Sequence, residues 1–74
     1  MIARVVIWNL ADSKTTLEEL RERLPDLPDG SHWISNEPAE RFGLFAIGDE
    51  LADLGAIPDL IGVDAVVFEE FDVE

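Results

Sequence analysis

Three polar side chains in this chain have the types and settings that chemistry would use. Arg4 sits in an apolar run, Ile2-Ala3-Arg4-Val5-Val6-Ile7-Trp8, where a cation must reach water, a carboxylate or a ligand. His32 is the only histidine, so it can act as a lone general base but not as half of a histidine pair or metal cluster. Glu70, near the end of the chain, is the carboxylate best placed to answer Arg4 if the first and last strands are neighbours. Each also has a plain structural reading: an ion pair for Arg4 and Glu70, and an exposed edge-strand residue for His32.

The remaining motifs carry less chemistry. Asp12-Ser13-Lys14 has a hydroxyl and an amine but no spacing that supplies a triad, and a turn leading into a helix accounts for it. Asp49, Glu50 and Asp53 lack the glycine-centred calcium loop, so capping and solvation explain them and no metal site is expected. The glycines Gly43, Gly48, Gly55 and Gly62 form neither GxGxxG nor a P-loop, so no cofactor is implied. With no cysteine, disulfides, thiolate zinc sites and thiol nucleophiles are excluded.

Seventeen acidic residues against five basic ones give a formal net charge of −12, which repels phosphates and argues against nucleic-acid binding. The acids are scattered, which reads as solubility rather than as a nucleic-acid mimic. Hydrophobic residues make up 47% of the 74, too many for a disordered chain. Neither a signal peptide nor a run of about 18 apolar residues is present, so a soluble, cytoplasmic protein with no membrane contact is expected.

The elements that position these residues follow from periodicity. A first strand is expected from Ile2 to Leu10, with Arg4, Val6, Trp8 and Leu10 on one face and Ala3, Val5, Ile7 and Asn9 on the other. Thr15 with Glu18, or Thr16 with Glu19, offers a capping box for a helix whose Leu17, Leu20 and Leu24 form one stripe. Pro25 and Pro28 stop it, and Asp29-Gly30 turns the chain into a more polar strand over Ser31 to Asn36. The apolar run Phe42 to Ile47 predicts a third, central strand. Asp49 is expected to cap a short helix through Glu50 to Leu54, with a break and a further turn over Asp59 to Ile61. A last strand, Ala65 to Val73, closes the chain.

The order βαββαβ fits one α+β domain of the ferredoxin-like, split βαβ kind over residues 1–74. Its four-stranded antiparallel sheet has the order 4-1-3-2, with two helices on one face and the second short and broken. Strands one and three are the most apolar and fall at the centre. The other face then lies bare, and Trp8, Val6 and Phe45 are expected on it as an apolar patch that a second copy covers.

The opening Met1 to Leu10, the Leu-rich helix ending at Leu24-Pro25-Asp26-Leu27-Pro28, the Trp33 to Asn36 segment and the closing Val66 to Asp72 resemble the dimeric α/β-barrel superfamily. The nearest type is the stress-responsive A/B barrel. That resemblance implies two ferredoxin-like subunits joined through their bare sheet faces. The stretch Ala56-Ile57-Pro58-Asp59-Leu60 lacks the His-Pro-any-His segment of that type, so no catalytic residue is carried over. Regulatory amino-acid-binding domains of the ACT type share the same element order and length.

Three readings of function follow. The first is a non-catalytic homodimer that binds a small apolar or amphipathic ligand, or serves as an interaction module. Arg4, Trp8, His32, Phe45 and Glu70 would line its cavity. The second is a small cofactor-independent barrel enzyme of oxygenase or isomerase type, using Arg4, His32 and Glu70. The third is an acidic regulatory module docking on a basic protein. Convergence of the three polar residues on one cavity in the dimer separates the second from the first.

Overall fold

A computed structural model describes residues 1–51 and 57–74 of the chain. Its elements run β1 (Ile2–Asn9), a 3-10 turn (Leu10–Asp12), α1 (Leu17–Arg23), β2 (Ser31–Asn36), β3 (Arg41–Gly48), α2 (Ile57–Ile61) and β4 (Val67–Asp72). The four strands form one antiparallel sheet in the order β2-β3-β1-β4. The architecture is therefore α+β, and the order is compatible with the one expected.

Local chemistry explains the boundaries. Of the two possible helix caps, Thr16 is the one used: its hydroxyl accepts the Glu19 N–H at 3.2 Å. The helix stops at Arg23, just before Leu24-Pro25, because proline cannot donate the next backbone bond. Gly30 has φ +85° and Gly62 φ +81°, left-handed values that glycine adopts without steric cost. Gly30 lets the chain turn into β2 while its carbonyl accepts the Ile47 N–H at 2.9 Å.

The second helical region differs from expectation at its start. Glu50 and Leu51 are not helical, and the predicted stretch Ala52 to Leu54 lies outside the described residues. Rather than capping a helix at Glu50, Asp49 places its carboxylate 3.9 Å from the amino-terminal ammonium. The last strand begins at Val67 instead of Ala65.

The core lies between the sheet and both helices. Val6 and Trp8 of β1 pack with Phe42 and Leu44 of β3, Leu20 of α1 and Ile61 of α2. Ladder pairing sets Val6 opposite Leu44 and Trp8 opposite Phe42, so these four side chains share one face. Trp33 stacks on Phe42 with ring centroids 5.3 Å apart, and its indole N–H donates to the Pro25 carbonyl at 3.3 Å.

This arrangement corrects the expected open face. Trp8, 1% exposed, and Val6 lie beneath the helices, whereas Phe45 pairs with Val5 and projects from the opposite side. The physical reason is area. Val6, Trp8 and Leu10 offer the helices more apolar surface to bury than Ala3, Val5 and Ile7 do.

Candidate functional site

Each side of the sheet gathers a different subset of the chemically interesting residues. On the helix side, Arg4 and Glu70 are direct cross-strand partners between β1 and β4. Arg4 Nη2 lies 3.7 Å from Glu70 Oε2, and the guanidinium carbon stands 5.7 Å from the Phe68 ring centroid. The Arg4 side chain is 13% exposed and that of Glu70 43%, so the charge pair opens to solvent through its carboxylate end. Phe68 and Arg4 fit a cation–π contact, which shields part of an otherwise exposed ring.

His32 and Phe45 are elsewhere. They pair across β2 and β3 on the helix-free face, with His32 at the opposite edge of the sheet from Glu70. The five residues expected to line one cavity are thus divided: Arg4, Trp8 and Glu70 on one side, His32 and Phe45 on the other. Trp8 is a packed core residue. Within one chain, Arg4, His32 and Glu70 do not face a common cavity.

Ser13 has a structural role. Its hydroxyl donates to the Ile61 carbonyl at 2.6 Å and accepts the Thr15 N–H at 3.1 Å, which ties the end of α2 to the turn entering α1. The neighbouring groove, about 480 Å³, is lined by Lys14 together with Glu18, Glu37 and Glu40. Arg21 pairs with Glu37 at 2.8 Å, with both side chains more than half exposed. No three histidine or acidic side chains among the described residues are grouped so as to hold a metal.

The helix-free face holds the feature that sequence inspection missed. Ile7 of β1, Gly43 of β3 and Ile34 of β2 are consecutive cross-strand neighbours; the two isoleucines lean over Gly43, and a pocket of about 200 Å³ opens beside them. Ile7 and Ile34 wall it, and Arg41 and Asn36 stand at one end. A Cβ at Gly43 would run into the Val6 carbonyl oxygen and the end of the Ile7 side chain. A glycine inside an otherwise apolar central strand is the signal that points here, since it marks close approach of neighbouring groups.

Fold and site together define a small α+β protein with one sheet face sealed by helices and the other apolar and open. No family model matches the chain, and no curated protein matches it. No helix among the described residues is long and apolar enough to cross a membrane.

Proposed function

We propose that this chain is a ferredoxin-like, non-catalytic interaction module of the dimeric α/β-barrel kind, which works as a homodimer through its helix-free sheet face. One observation carries the reading. Val5, Ile7, Ile34, Phe45 and Ile47 form a contiguous apolar surface across three strands, continued onto β4 by Phe71, which is 48% exposed. A monomer that leaves such a patch in water forgoes its burial, and a domain of this size benefits most from recovering it. The βαββαβ order and the placement of both helices in one core support the ferredoxin-like assignment. The division of Arg4, Glu70 and His32 between the two faces favours an assembly role over catalysis.

Sedimentation velocity across a range of concentrations tests the proposal. Wild-type protein is expected to sediment as a dimer at micromolar concentration. Phe45→Lys is expected to sediment as one folded chain, because it plants a charge in the middle of the apolar face. A wild type that keeps the mass of one chain throughout overturns the reading.

A further inference from the structure

The two edges of the sheet are built differently, and backbone geometry shows which groups of the β4 edge are open. The Val73 N–H donates to the Met1 carbonyl at 3.0 Å, which continues the β1–β4 register and marks the odd-numbered residues of β4 as those bonded to β1. The Leu10 N–H donates to the Glu40 carbonyl at 2.7 Å, so the even-numbered residues of β1 turn to β3, as that phase requires. The N–H and C=O groups of Phe68, Glu70 and Asp72 therefore point outward, and no described strand lies beyond them.

Side chains at this edge are exposed on both faces of the sheet. Phe68 is 55% exposed on the helix side, and Phe71 and Val67 are exposed on the other. Glu69, Glu70, Asp72 and Glu74 stand among them. The β2 edge, Ser31–Asn36, has no carboxylate and one large exposed apolar residue, Ile34. Edge strands are commonly blunted by lysine, proline or a bulge, but residues 67–72 contain neither lysine nor proline and pair with β1 without interruption. Negative charge protects this edge instead, and its protection is selective. The two antiparallel registers that overlap most of β4 with a second copy of itself set Glu69 or Glu70 directly opposite its own kind, between chains that each carry −12. A cationic strand meets no such barrier.

We propose that the β4 edge binds an extended basic and apolar segment of another protein, adding it to the sheet as a fifth, antiparallel strand. The outward groups of Phe68, Glu70 and Asp72 supply the main-chain bonds, and cross-strand pairs select the sequence. Apolar side chains belong opposite Val67, Phe68 and Phe71, and cations opposite Glu69, Glu70 and Asp72. Neither Glu69 nor Asp72 joins an ion pair among the described residues, so both carboxylates are open to such a cation. The strand docks in the plane of the sheet rather than on the face assigned to self-association.

A capped, fluorescently labelled hexapeptide, Lys-Val-Arg-Lys-Ile-Val, matches β4 read from Asp72 back to Val67. Titrated with wild-type protein, its anisotropy should rise to saturation. N-methylation of its third residue, whose N–H faces the outward groups of Glu70, should weaken binding by about tenfold or more, because it removes a ladder donor. N-methylation of the fourth residue, whose N–H points away from β4, should change binding by less than about threefold. Adhesion through charge alone makes the two modified peptides equal, and that result overturns the proposal. Failure of the unmodified peptide to bind overturns it as well.

Amide exchange locates the contact. In the free protein the Phe68, Glu70 and Asp72 amides should exchange fast and those of Glu69 and Phe71 slowly; saturating peptide should slow the first three by about tenfold or more. Protection of all five in free wild-type protein would show that a second copy already holds this edge, and would overturn the proposal. Neither readout depends on the oligomeric state, so self-association can fail while the edge site stands, and the reverse.

Discussion

Arg4 and Glu70 meet across the β1–β4 ladder with 3.7 Å between Nη2 and Oε2, on the side of the sheet that the helices cover. The pair solves the problem of a cation in a central strand: the guanidinium stands over the Phe68 ring, and the carboxylate end stays in contact with water.

The coupling in this pair is therefore expected to be small. In a double-mutant cycle of Arg4→Met and Glu70→Gln, followed by urea unfolding, an interaction energy of about 0.5–1 kcal/mol is expected, as for a solvent-screened pair. A value above about 3 kcal/mol would mark a desolvated pair and contradict the accessibility of Glu70.

Trp8 is enclosed by both helices and β3. Trp8→Ala should cost roughly 3–5 kcal/mol of folding stability, enough to unfold much of a domain this small. Because Trp8 faces the helices, any effect on association should follow from lost folding. A folded Trp8→Ala variant with a loss below about 1 kcal/mol would contradict its burial.

Thr16 is the N-cap of a seven-residue helix. Thr16→Ala should lower stability by about 1 kcal/mol, seen as a lower urea midpoint with an unchanged slope. Thr15→Ala serves as the comparison, since the Glu19 N–H is bonded to Thr16.

Ser13 links two distant parts of the chain through its 2.6 Å bond to the Ile61 carbonyl. Ser13→Ala should cost about 0.5–1.5 kcal/mol. Amide exchange should quicken in α2 and leave the β1–β3 ladder unchanged.

Gly43 should not tolerate a side chain. Gly43→Ala drives a methyl into the Val6 carbonyl and Ile7, and a loss of about 1–3 kcal/mol is expected in thermal unfolding. A neutral result would show that β3 can shift away from β1 at this point.

Much of the scaffold was legible in the residues alone. The doubly apolar runs around Val5-Val6-Ile7-Trp8 and Phe42 to Ile47 marked the two central strands, because only strands covered by neighbours on both sides can be apolar at every position. Pro25, Gly30 and Gly62 punctuate the chain through backbone chemistry that acts locally, so their effects needed no tertiary information, whereas the structure chose Thr16 over Thr15 as the cap. That Arg4 must reach water, a carboxylate or a ligand was also readable, with Glu70 as a candidate; the β1–β4 ladder made Glu70 its neighbour.

Which side of the sheet would be sealed was decided only in three dimensions. A period of two separates Arg4-Val6-Trp8 from Ala3-Val5-Ile7 without saying which set meets the helices. The cross-strand register then placed Phe45 with Val5 rather than with Val6. The close approach of Ile7 and Ile34 to Gly43 and the row from His32 through Phe45 and Val5 to Glu69 arise in the same way. They join residues from separate strands, and their alignment exists only once the three ladders are in register. Local chemistry set the elements, and long-range pairing set which side chains share a surface.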